Sequence, residues 1–180
     1  LDDFEQYTPW AISDIGNWTT VDQNGNKTYA IQNFPFPHDN DAYAFIVFNP
    51  GEANIYYPVW MPQSGSQMMV SFCSGPAQGS DVIPNTDHWL ISPELPGVEQ
   101  TVSFYAARPN DEGKPETVEL LYSTLSANTS DFKKVRDAMV TKIPASAKDF
   151  EQIEFDIPEG AKYFAIRHTT KDGFALLVDD

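Results

Sequence analysis

The sequence predicts an all-β chain built as a two-sheet sandwich. Apolar and polar residues alternate in short runs, which is the signature of strands with one buried face. Turn-forming residues separate those runs, and no clear amphipathic helix of ten or more residues lies between them to carry a strand–helix–strand crossover. Fourteen Pro and ten Gly, together with 12 Phe, 8 Tyr and 4 Trp, suit a turn-rich sheet protein.

Taken in order, residues 43–48 (YAFIVF), 67–74 (QMMVSFCS), 101–108 (TVSFYAAR), 117–124 (TVELLYST), 152–158 (QIEFDIP), 162–169 (KYFAIRHT) and 174–180 (FALLVDD) read as strands. In 101–108, Val102, Phe104 and Ala106 share one face and Ser103 and Tyr105 the other. In 162–169, Tyr163, Ala165 and Arg167 oppose Phe164, Ile166 and His168. Turns fall at 49–54, 74–80, 109–115, 158–160 and 171–173. Two segments are ambiguous. The run NTDHWLISPELP (85–96) suits either a catalytic loop or the edge of a buried strand. Residues 130–139 set Phe132, Val135 and Met139 on one side behind a possible Ser130 or Asp131 cap, which fits a short helix or a loop equally.

A chain of 180 residues suits one domain with a real core. Its formal charge of −15 argues against nucleic acid and anionic membranes, and permits cations. No apolar run approaches the ~20 residues that cross a bilayer, so no direct membrane insertion is expected. Cys73 is alone, which excludes an intrachain disulfide, and its strand-like setting predicts inert packing. The chain closes on Val178-Asp179-Asp180 straight after strand-like residues, the pattern of a domain cut from a longer protein whose other domains would be its neighbours.

Six stretches occur in a suggestive order: DDFEQ (2–6), NWTTVDQNGN (17–26), DHWLISPEL (87–95), TVSFYAAR (101–108), VELLYSTLSANTSDFKKV (118–135) and KYFAIRHTTKDGFALLVDD (162–180). This set resembles the cleaved-adhesin, or choice-of-anchor J, domains of surface proteins from anaerobic Gram-negative bacteria, which are related in architecture to MAM domains. The resemblance implies a single jelly-roll, lectin-like β-sandwich over residues 1–180. It also implies a non-catalytic, secreted or cell-surface adhesion module for carbohydrate or a surface protein, often holding calcium. The WLISP run is then a strand packing one sheet against the other, and the acidic FE and closing DD motifs meet because the first and last strands are neighbours. That brings Glu5 and Asp180 forward as calcium ligands. Segment 28–66 is the least family-like and reads as a variable loop region.

Three constellations could carry chemistry. Asp22, Asn24 and Asn26 alternate around Gly25 as oxygen ligands do early in an EF-hand, so they join Glu5 and Asp180 in the same or a second calcium site. Asn at position 33 and non-helical flanks exclude a true EF-hand, and the Asn-Gly pair equally marks a plain hairpin turn. Next, Tyr56, Tyr57 and Trp60 in IYYPVWMP (55–62), with FPFPHDND upstream, form either a sugar-stacking platform or a core cap. Last, Glu151, Glu154 and Asp156 leave open a glycoside hydrolase with paired carboxylates, although no E-x-D-x-x-E run is present. His38, His88 and His168 are scattered without a Cys partner or an H-E-x-x-H motif, which argues against zinc, and Asp87-His88 lacks a G-x-S-x-G elbow.

Overall fold

The alternation along the strands sorts side chains into three apolar layers. In a computed structural model describing residues 1–146 and 149–180, ten strands form two antiparallel five-stranded sheets. They are β1 (Thr19–Asp22), β2 (Ile46–Phe48), β3 (Met68–Phe72), β4 (His88–Ile91), β5 (Gln100–Ala107), β6 (Glu116–Ser123), β7 (Lys133–Val140), β8 (Glu151–Ile157), β9 (Tyr163–His168) and β10 (Ala175–Asp179). The first sheet runs β1-β4-β9-β6-β7 and the second β2-β3-β10-β5-β8. The architecture is the all-β, jelly-roll type of sandwich.

The central layer holds Leu90, Val102, Phe104, Ala106, Val118, Leu120, Phe155, Ile166, Leu176 and Val178. The inward sets of β5 and β9 are those that the period of two selects. A second layer lies outside the second sheet, where Phe36, Tyr43, Ile55 and Trp60 fold down onto Met68, Val70, Phe72, Ala175 and Leu177. Segment 28–66 is therefore a built cover rather than a loose loop, and its large rings each contribute about 1.5–3 kcal/mol by leaving water. A third, smaller layer covers the first sheet: Trp89, Ile91, Leu121 and Ala165 beneath Ala127 and Phe132. The WLI run thus divides, with Leu90 facing the other sheet and Trp89 and Ile91 facing this outer layer.

Two local readings change. Residues 130–139 hold no α-helix: a 3-10 turn at Thr129–Asp131 leads into β7, which pairs with β6 across Glu116↔Val140 to Tyr122↔Lys133. Phe132 is drawn onto Trp89 at 5.6 Å while Val135 and Met139 stay in solvent, so hairpin pairing overrides the helical spacing. DQNGN, in turn, does not close a hairpin. After β1 pairs with β4, this loop takes the chain across to the second sheet, where Thr28 bridges Ser74.

Candidate functional site

The first and last segments meet on one short loop. Glu5 Oε1 accepts the N–H groups of Ser66 and Gln67 at 2.9 and 2.8 Å, and Oε2 accepts the Ser66 hydroxyl at 2.7 Å. Two residues earlier, Ser64 N–H donates to Asp179 Oδ2 at 3.1 Å. Gly65 permits this approach: it sits at φ +59, and a Cβ there would lie 2.4 Å from the Glu5 carboxyl. The two acids respond oppositely. Burial raises Glu5, but the Ser66 hydroxyl and the two N–H groups outweigh it and hold the carboxyl below its ordinary range. Burial, with the charge of Asp180 adding, pushes Asp179 up to about 7 against the N–H groups of Ser64, Asp180 and Gln63. A cavity of about 450 Å³ opens beside them, lined by Asp2, Phe4, Trp18, Gln100, Asp179 and Asp180. This donor set is all oxygen, which suits a hard cation. Glu5, Asp179 and Asp180 do not form a cluster of three ligand atoms mutually within 4.8 Å, so a cation there would also need backbone carbonyls and water. Asp179 is the acid that the sequence reading passed over.

The DQNGN loop belongs elsewhere. Asp22 lies at the far end of β1 from Trp18 and that cavity, so the two sets cannot share one ion. Asp22 Oδ1 is spent accepting N–H from Asn24 and Gly25, both at 3.0 Å, and Asn24 turns its amide nitrogen to the Asn85 carbonyl. Asn26 is half-buried one residue beyond Gly25, which takes φ +63. These are the bonds of a turn.

The aromatic set also splits. Tyr56 and Tyr57 are 71% and 56% exposed, whereas Trp60 is only 5% exposed and packs against Phe48, Phe72 and Phe174 at 5.4–6.1 Å. Trp60 is a core residue, because the 3-10 turn at Pro58–Trp60 drops it onto the sheet. Its place beside the tyrosines passes to Phe34, whose ring meets Tyr57 edge-on at 5.6 Å. Phe34 lines a groove of about 330 Å³ with Gln32, Asn33, Asp39 and Asn40. That groove continues through Ala30–Gln32 into a cleft of about 510 Å³ with Tyr29, Asn110, Glu112 and Phe174.

The carboxylates of β8 make no cleft. Glu154 and Asp156 face solvent on an edge strand, Asp156 accepts from the Thr101 hydroxyl, and Glu151 lies on the other face with its carboxyl raised by burial. Asp87 has a clear structural task. Arg167 grips it through Nε and Nη2 at 2.8 and 2.7 Å, reaches Glu119 with Nη1 at 2.8 Å and lies 5.0 Å from the Trp89 ring centroid. Burial raises Asp87, but Arg167 and the Trp89 N–H hold its carboxyl below the ordinary range.

Between the sheets lies a fully enclosed polar chain. Ser71 Oγ contacts His88 Nδ1 at 3.0 Å and His168 Nδ1 at 2.8 Å. His168 Nε2 meets Glu116 Oε2 at 2.7 Å, and the same oxygen accepts the Cys73 thiol at 3.3 Å. Desolvation and the charge of His168 press His88 down to about 3. Burial raises Glu116, yet the His168 N–H and charge, with the Phe174 N–H, bring it down to about 2. Burial and the Glu116 charge raise the Cys73 thiol well above its usual value. Separation in sequence hid this chain: one of the histidines, His168, does have a Cys partner, contributed by the opposite sheet.

Comparison with known proteins follows the same lines. The K2 cleaved adhesin domain of Lys-gingipain aligns with a TM-score of 0.68 at 21% identity, covering 99% of this chain and 93% of that one. The K1 domain of Lys-gingipain from Porphyromonas gingivalis gives 0.67 at 19%, covering 98% and 92%. The carbohydrate-binding module TmCBM61, solved with beta-1,4-galactotriose, gives 0.51 at 12%, covering 92% and 86%. These likenesses establish a shared fold. No curated protein sequence matches the chain. The profile of the Cleaved Adhesin Domain family matches residues 38–180, and the chain belongs to that family.

Proposed function

We propose that this chain is a non-catalytic extracellular module that binds carbohydrate, with Tyr56, Tyr57 and Phe34 as the stacking surface. The observation that carries the reading is a pair of solvent-facing tyrosine rings, of which Tyr57 meets Phe34 edge-on, and Phe34 in turn lines a groove of amides and a carboxylate, Gln32, Asn33, Asp39 and Asn40. Planar rings stack on sugar faces while such side chains bond hydroxyls. Family membership and the fold shared with a sugar-binding module favour the same direction. A glycan array tests it. Binding that survives in the wild type and fails in both Tyr56→Ala and Tyr57→Ala supports sugar recognition. Capture of a surface protein with no glycan signal replaces it with a protein-binding adhesin.

The same reading includes calcium as a stabiliser. Glu5, Asp179 and Asp180 would hold the ion, which would neutralise a buried carboxylate that has no cationic partner among the described residues and tie the two chain ends to the 63–67 loop. Asp22, Asn24 and Asn26 are left out of this set. A secreted or cell-surface location accords with such a module, since calcium sites of modest affinity fill outside cells.

A further inference from the structure

We propose that Cys73, Glu116 and His168 form a buried site for one borderline divalent ion of the zinc class, distinct from the calcium ligands. Among the described residues they are the cluster of at least three His, Cys, Asp or Glu side chains whose ligand atoms all lie within 4.8 Å of one another, and all three are buried. One thiolate, one imidazole and one carboxylate suit zinc or cobalt better than calcium. The spacings are close to those required. Tetrahedral zinc with bonds of ~2.3 Å to sulfur and ~2.0–2.1 Å to nitrogen and oxygen needs sulfur about 3.5 Å from each other donor. Cys73 Sγ lies 3.7 Å from His168 Nε2 and 3.3 Å from Glu116 Oε2. Only the 2.7 Å contact between His168 and Glu116, now a hydrogen bond, must widen to ~3.3 Å for the ion to enter.

The surroundings are built for that exchange. Glu116 Oε1 is fixed by the Phe174 N–H at 2.7 Å, which leaves Oε2 for the cluster. Gly173 makes the space, because a Cβ there would lie 2.6 and 2.7 Å from the two carboxylate oxygens. His168 must give up the proton on Nε2 and carry one on Nδ1. Ser71 accommodates this: its oxygen accepts from His168 Nδ1 at 2.8 Å while its hydroxyl turns to His88 Nδ1 at 3.0 Å. His88 Nε2–H then faces Ser74 Oγ at 3.5 Å and Asp22 at 3.7 Å. This is the outer support that metal-bound imidazoles use. Binding releases the thiol proton, and a dication with one thiolate and one carboxylate is neutral overall, which a dry interior tolerates. Three protein ligands leave one tetrahedral position for a water or hydroxyl oxygen.

The cluster is enclosed, so the ion is loaded during folding. The test unfolds the chain in chelator and refolds it with Co²⁺ or Zn²⁺. One cobalt per chain is expected, with a near-ultraviolet thiolate-to-cobalt charge-transfer band that zinc abolishes by competition. Cys73→Ser should remove the band, and Ser71→Ala, which keeps every ligand, should weaken retention about tenfold or more. Zinc-edge X-ray absorption on the wild type needs no variant and should show one sulfur at ~2.3 Å beside nitrogen and oxygen at ~2.0–2.1 Å. A shell of oxygen alone, a band that persists in Cys73→Ser, or refolded chain without bound metal overturns the site.

Discussion

Asp179 couples pH to the calcium reading. An isolated Asp titrates near 3.8, and in the fold this one is pushed up to about 7, chiefly by burial. Between those values the unfolded chain has lost the proton that the folded chain keeps. Stability is therefore full below ~3.8 and falls as pH rises towards 7. At ~1.4 kcal/mol per pH unit the loss reaches about 4 kcal/mol, or ~10 °C in Tm for a chain of this size. A calcium ion on Asp179 favours the ionised form and cancels the loss. His88 imposes the opposite trend below pH ~6.5, so the quantity that isolates Asp179 is the difference from an Asp179→Asn chain: in differential scanning calorimetry from pH 5 to 8 the wild-type Tm in chelator should fall relative to that variant, and excess calcium should remove the fall. Asp179→Asn, which keeps the shape without the charge, should raise the chelated Tm at pH 8 and abolish the calcium response. A chelated wild-type Tm that does not fall with pH relative to Asp179→Asn, or an Asp179→Asn chain that still gains stability from calcium, refutes the reasoning.

Other outcomes follow from the packing and the buried acids and bases. Trp60→Ala should cost about 3–5 kcal/mol in chemical unfolding, whereas Tyr56→Ala and Tyr57→Ala should stay within ~0.5 kcal/mol and lose only ligand. Asp22→Ala should cost ~1 kcal/mol through the lost turn bonds and leave the calcium response intact, as monitored by thermal melts with and without chelator. Arg167→Lys gives up the two-pronged grip on Asp87 and should cost ~1–3 kcal/mol. Asp87 is held below its ordinary range, so its contribution is present above pH ~4 and vanishes on further acidification, a loss that Asp87→Asn should not show. His88, pressed down from 6.5 to about 3, adds acid sensitivity: between those values the unfolded chain takes up a proton that the folded chain refuses, so stability falls with pH. Histidine NMR shifts should report a neutral ring down to pH ~4, and a ring already charged at pH 6 contradicts the burial argument.

Period-two patterning made the sandwich legible because β5 and β9 each bury one face against the central layer. The same rule failed where a residue's neighbour lies far along the chain. Phe132, Val135 and Met139 fit a helix, yet pairing with β6 decides β7. Trp60 lies between Val59 and Met61 in a proline-flanked run that suits a platform or a core cap, and the outer face of the second sheet took it as its cover. Asp22 and Asn24 carried ligand-like spacing that the backbone used first. Glu5 was identifiable through a motif and Asp179 was not, because pleat direction within two adjacent aspartates depends on the register of β10 with β3 and β5. Cys73 and His168 were dismissed as metal ligands on linear separation, which the sandwich removes.

The position of β10 has a consequence for biogenesis. It is the last strand of the fold, yet it stands in the middle of the second sheet, with β3 on one side and β5 on the other. Neither β2-β3 nor β5-β8 can join its partner until the ribosome has delivered Ala175–Asp179. The two halves of the second sheet therefore stay apart until that strand has emerged, late in the synthesis of this domain, whatever hairpins form before it.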